Sequence, residues 1–285
     1  MGGRLFKDFS FFSATLSFFI LIGIFSILFN YAQEALHEFG VEFLWSEIWE
    51  ADEDDEGGVF GGYIPIIGTL LSTLIAMIIA TPIAMGIAIF LSEIAHATLI
   101  KPVSIAIELL AAIPSIIYGM WGLFYFAPIV QASFGGQGVG LLTAGIVLAI
   151  MIIPFMAAIT RDAMNTVPDV LKESAYAMGA TKFEVIKDVI MPYAKGGIIG
   201  SIILALGRAL GETMAVAFLI GSVMSIPSRV TDPTTSIPVL LANNFAEAMD
   251  LEMSAMYYLA LILFVVSFAI ISIAKFYFLN NKVKA

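Results

Sequence analysis

The chain has 285 residues, 60% of them hydrophobic and only 13% charged, against about a quarter charged in an ordinary soluble domain. The apolar residues are gathered into runs of twenty or more, each long enough to cross about 30 Å of hydrocarbon at about 1.5 Å per residue, which excludes a soluble enzyme or a nucleic-acid-binding domain. The net charge of −10 comes largely from one loop, and with no cysteine and only His37 and His96, set in different loops, no disulfide, metal centre or cofactor is expected.

The first apolar run, Phe9 to Asn30, follows Arg4 and Lys7. A cleavable signal peptide would have an apolar core of about 7–15 residues and small residues at a cleavage site. This run is longer and ends in Leu28-Phe29-Asn30-Tyr31, so a retained helix is expected. Residues 31–62 then form a loop with ten acidic residues and no lysine or arginine, including Asp52-Glu53-Asp54-Asp55-Glu56. Gly57-Gly58 and Gly61-Gly62 suggest a flexible return to the membrane, and a solvated spacer is the expected role. A cation-binding patch and a contact for a basic partner remain as alternatives.

A second span is expected from about Tyr63 to Leu91, with Pro65 and Pro82 inside it. A third follows Lys101-Pro102 and ends near Val130, with Pro114 inside. A fourth covers about Gly138 to Thr160, a polar stretch 161–192 follows, and a fifth runs from about Tyr193 to Gly221. An outer loop 222–253 precedes the sixth, Ser254 to about Phe278. With both termini inside, this layout places Arg4, Lys7, Lys101, Arg161, Lys172, Lys182, Lys187, Lys195, Lys275, Lys282 and Lys284 on the cytoplasmic side. Only Arg229 lies outside, and Arg208 falls within the fifth span. Eleven basic residues against one is the bias expected of cytoplasmic loops, and adding or removing a helix destroys it.

The 161–192 stretch carries helix signals of its own. Pro168 suits a first helical turn, Asp169 favours the positive end of a helix, and Gly179 can close it in a left-handed conformation. Thr181 and Glu184 then have capping-box spacing, and Pro192 is expected to stop the second helix before the fifth span. The residues alone leave two readings open: a helix pair lying on lipid headgroups, or a docking element that fits a groove in a partner.

Glu173-Ser174-Ala175, three residues, Gly179, nine residues, then Val189-Ile190-Met191-Pro192 resembles the EAA motif of bacterial ABC importer permeases. Ser174, Val189 and Met191 depart mildly from that pattern. The resemblance implies a coupling helix seated in a cleft of an ATPase subunit, with Glu173, Ser174, Ala175, Tyr176, Met178 and Gly179 at the contact. The chain has no Gly-x4-Gly-Lys-Ser/Thr run to hold a nucleotide, so it is expected to be no enzyme itself and ATP hydrolysis would fall to a partner.

Arg208 lies about 15 residues past the expected start of the fifth helix, about 22 Å along its axis. Burying it costs about 2.5–3.5 kcal/mol, so it should face a partner or a wet cavity. Glu212 is four positions on, which would put both side chains on one helix face. Either they close on each other as a structural ion pair, or the guanidinium lines a translocation path, offers its forked donors to an oxyanion and is restrained by Glu212, with Thr213 adjoining. Glu108 falls about 13 Å short of Arg208 in depth, and a local hydrogen bond or a gate contribution is expected of it. Pro114, followed by Ser115, is expected to kink the third helix.

The run Arg208 to Ala215 resembles the phosphate-specific branch of the ABC permeases, in particular its C-type subunit. Glu108 to Gly119 is similar to that family's third-helix motif, and Asn243 to Ala248 to its second external loop. The resemblance covers about residues 63–279 and implies an all-α type I importer permease core preceded by one extra helix, with 1–62 as an addition and 63–285 as the permease domain. It further implies import of inorganic phosphate with a homologous second permease subunit, two ATPase subunits and an extracytoplasmic phosphate-binding protein. A permease for another oxyanion, sulfate or molybdate, and an ATP-independent secondary transporter are the alternatives.

Overall fold

The computed structural model describes residues 2–50 and 58–279. Among them, six helices are long and apolar enough to cross a membrane: Phe6–Tyr31, Tyr63–Ile94, Ser115–Phe134, Leu141–Asn165, Lys182–Leu210 and Asp250–Phe276. The chain divides into two compact units, Met1–Tyr63 with Leu240–Val266 and Ile64–Val239 with Ser267–Ala285.

In the first unit, α1 (Gly2–Tyr31) is apolar on all faces beyond Asp8 and exposes side chains along Phe6–Tyr31, the pattern of a helix solvated by lipid. A short helix α2 (Gln33–Phe39) and a 3₁₀ turn (Gly40–Leu44) lead to β1 (Trp49–Glu50), which pairs antiparallel with β2 (Val59–Phe60). The loop expected over 31–62 as a solvated spacer thus carries packed local structure on both sides of residues 51–57. Phe43 and Phe60 are fully buried, and the Phe43 ring packs at a tilt against Tyr258 of the last helix, with centroids 4.6 Å apart. Trp49 donates its indole N–H to Glu252 at 3.2 Å, while Ser254 donates to the Tyr31 carbonyl and accepts from the Ala35 amide. Apolar burial and these long-range bonds order a segment whose glycine and acid content reads as a linker. The run Asp52–Glu56 lies outside the described residues.

The second unit begins with α3 (Tyr63–Ile89), continued by a π turn over Phe90–Ile94. The third span departs from expectation. A separate helix, α4 (Ala97–Ala112), ends before Ile113 and Pro114, both extended, and α5 (Ser115–Trp121) starts afresh, continuing through a π turn into α6 (Ala127–Phe134). A residue preceding proline is pushed out of the helical region, so Ile113-Pro114 breaks the helix where a kink was expected.

The central helix α7 (Leu141–Asn165) is the most buried of the spans. Its Gly145 lets Ile75 of α3 approach so closely that an added Cβ would lie 2.6 Å from the Ile75 methyl. Beyond it come α8 (Asp169–Ala177) and α9 (Lys182–Glu184). A π turn over Val185–Ile190 joins α9 without a break to α10 (Met191–Leu210), so Pro192 does not stop the helix. The proline falls where bonding changes from the π to the α register, and its missing N–H is absorbed there. Thr160 of α7 and Ser201 of α10 share a buried hydrogen bond of 2.7 Å.

The fifth helix also ends early, at Leu210 rather than near Gly221, and α11 (Met214–Ala217) starts after a three-residue interruption. The outer loop expected from 222 is partly interior. Thr234 to Val239 are buried, the Ile237 amide donates to Thr69 at 2.9 Å, and a side chain at Gly68 would collide with the Thr235 carbonyl. The last helices are α12 (Ile237–Asn244) and α13 (Asp250–Leu279).

Candidate functional site

The run Arg208 to Ala215 forms a helix end, a turn and a new helix start. Arg208 occupies the last turn of α10, beside buried Ala205 and Ala209. Its guanidinium carbon stands 5.5 Å from the centroid of Phe155 on α7, within cation–π range, and Tyr118 of α5 is within its electrostatic reach. Its Nε is buried and meets no acceptor among the described residues. Glu212 is not its partner. The helix that would have aligned the two stops at Leu210, and the Glu212 carboxylate instead accepts from the Ala215 amide in the first turn of α11 at 3.3 Å. Thr213 donates to the Gly211 carbonyl at 3.3 Å. The pairing expected from the four-residue spacing is thus corrected, and Arg208 keeps donor capacity unused.

Non-helical backbone at membrane depth persists where it is buried in protein or lines a wet path, and Gly211 is exposed. On the α5 side, Tyr118 also borders a cavity of about 270 Å³ lined by Ile113, Ile117, Trp121 and Ile150, and its hydroxyl donates to the Leu110 carbonyl at 2.9 Å.

Glu108 is placed differently from the expectation of a residue inside the third span. It lies on α4, outside the span that starts at Ser115, with a side chain 59% exposed. It accepts from Arg161 of α7 at 3.3 Å, and Arg161 also pairs with Asp162 at 2.8 Å. Pro114 is the residue before the first turn of α5, and Ser115 opens that helix.

The 161–192 stretch presents a second surface. Gly179 adopts φ +91°, which a side chain would strain, and beyond this turn Val185, Ile186 and Ile190 pack against Ala175 of α8. The capping box is complete: the Thr181 amide and hydroxyl both donate to Glu184 at 2.7 Å, and the Glu184 amide returns to the Thr181 oxygen. Ala175 is buried among Ala88, Val167, Val185, Ile186 and Ile190, while Glu173, Ser174, Tyr176 and Met178 face outward, Met178 at 84% exposure. Lys172 is held by Glu93 at 2.7 Å. Sequence reasoning missed Glu93, Phe155 and Arg161 as partners. No signal marks Glu93 beyond being an acid at the end of an apolar run.

Residues 65–285 match the model of a family described as the binding-protein-dependent transport system inner membrane component. This chain belongs to that family. The permease is 45% identical to the phosphate transport system permease protein PstC of Pasteurella multocida, over 95% of this chain and 90% of that one. The PstC of Haemophilus influenzae is equally similar, 45% over 95% and 91%. A probable phosphate transport system permease protein PstC of Methanocaldococcus jannaschii is 33% identical over 93% and 89%.

Among solved structures, the MetNI methionine ABC transporter in an inward-facing form superposes with a TM-score of 0.62 at 21% identity, over 76% of the permease and 94% of that chain. A bacterial ABC transporter involved in import of alginate gives 0.60 at 14%, over 98% and 100%. The fold is that of an ABC importer permease with six membrane helices, a multi-pass inner-membrane component of a larger transport system.

Proposed function

We propose that the permease is one of two homologous membrane subunits of an ATP-driven importer of inorganic phosphate. The observation that carries this reading is the 45% identity, along nearly the whole chain, to permeases named for phosphate transport. Arg208 supports it chemically. A half-buried guanidinium with an unused Nε–H, set where the helix is interrupted, is suited to bind an oxyanion briefly, since charge-assisted forked donors match phosphate geometry. A weak site serves transport better than a tight one, because tight binding would block release.

In this reading Arg208, Glu212 and Thr213 border the path, with Glu212 acting by holding the α11 turn rather than by pairing with Arg208. Pro114 and Ser115 set the start of the third span on the cytoplasmic side. Two ATPase subunits would close on coupling segments, here Glu173, Ser174, Ala175, Tyr176, Met178 and Gly179. A phosphate-binding protein would deliver substrate to the outer face. Both termini lie in the cytoplasm, and residues 63–285 form the permease domain, with 1–62 added before it. The test is uptake of labelled phosphate into vesicles that carry the complete transporter, with sulfate and molybdate as competitors. Uptake indifferent to both is expected; displacement by sulfate would reassign the substrate.

A further inference from the structure

We propose that the Glu93–Lys172 ion pair is the link through which the docking segment moves the second span; this rests on reading 161–192 as the ATPase contact. Lys172 precedes Glu173 on α8, and its Nζ lies 2.7 Å from a carboxylate oxygen of Glu93 in the π turn that ends α3. The two side chains are 17% and 9% exposed. The other ion pairs among the described residues each have an exposed member, whether Glu108 and Asp162 with Arg161 or Arg229 with Asp232.

Desolvating an ion pair is unfavourable, and apolar residues of similar size would hold two helices together as well. Ala88, Ala175, Val185, Ile186 and Ile190 already supply such adhesion around it. An apolar patch is non-directional and permits sliding, whereas a part-buried, hydrogen-bonded pair favours one geometry. The pair therefore fixes the register of α8 against the end of α3. A push on the outward face of α8, at Tyr176 and Met178, reaches Glu93 through Lys172. The same segment is joined covalently, through α9 and the π turn, to α10 and Arg208. One docking element thereby drives two spans, α10 through the chain itself and α3 through Glu93–Lys172.

The test uses the complete transporter in proteoliposomes, with ATPase subunits, second permease and binding protein, and reads phosphate moved per ATP hydrolysed. Glu93→Gln with Lys172→Met removes the link without leaving a part-buried charge unpaired. ATP hydrolysis within about twofold of wild type and a phosphate-per-ATP ratio lowered about tenfold are expected. Each single substitution should lower the ratio at least as far, so that the effects do not multiply. A double variant with the wild-type ratio would overturn the link, as would its loss from the membrane, which would assign the pair to folding. A wild-type complex whose uptake ignores ATP would overturn the functional reading and the link with it.

Discussion

A buried charged N–H without an acceptor costs about 1–3 kcal/mol or more, and Arg208 carries that cost at the end of α10. The Phe155 ring face offsets part of it without taking up a guanidinium N–H. Charged hydrogen bonds contribute about 1.5–3 kcal/mol, so losing the fork should slow transport about 10–100-fold. Arg208→Lys keeps the charge but not the planar fork, and its uptake should fall between wild type and Arg208→Ala. Uptake equal to wild type in Arg208→Lys would mean that a point charge suffices. Glu108→Gln should do little. Its partner contact is at the surface, where such pairs contribute about 0–1 kcal/mol, and uptake within about twofold of wild type is expected.

At the scale of elements, α8 is held by its buried face and presents the other. Met178→Asp touches nothing buried, so thermal stability should stay within about 0.5 kcal/mol of wild type while co-purification of the ATPase subunits is lost. Retained ATPase in that variant would remove Met178 from the contact. Gly145→Ala acts in the opposite way. Its methyl would drive into Ile75 of α3, and a loss of about 1–3 kcal/mol is expected in a denaturation series, with the ATPase still bound to the protein that remains folded.

Much of this scale was legible in the chain. Apolar run lengths locate the six spans, and Thr181 with Glu184 announces a capping box that forms as read. The breaks were not legible. The stretch from Leu210 to Ile220 stays apolar enough to read as one helix, and its interruption depends on how Gly211 and Glu212 meet α11. Pro192 reads as a stop because propensity cannot foresee a π turn that absorbs it. Glu93 and Lys172 stand 79 positions apart, and no local pattern pairs them.

For the whole molecule, the basic residues predict an orientation that labelling can check cleanly, because the chain has no cysteine. In intact spheroplasts a membrane-impermeant thiol reagent should label Arg229→Cys and not Met178→Cys. In opened membranes it should label Met178→Cys only when the ATPase subunits are absent. The reverse sidedness would invert the topology and remove 161–192 from the cytoplasm.

The most direct measurement of the central claim is labelled phosphate uptake into vesicles holding the complete transporter, with ATP sealed inside or left out and Arg208→Ala in parallel. Uptake that requires ATP and falls about 10–100-fold in the variant is the predicted result. Uptake that continues without ATP, or that Arg208→Ala leaves unchanged, would contradict a partner-driven permease with Arg208 in its path.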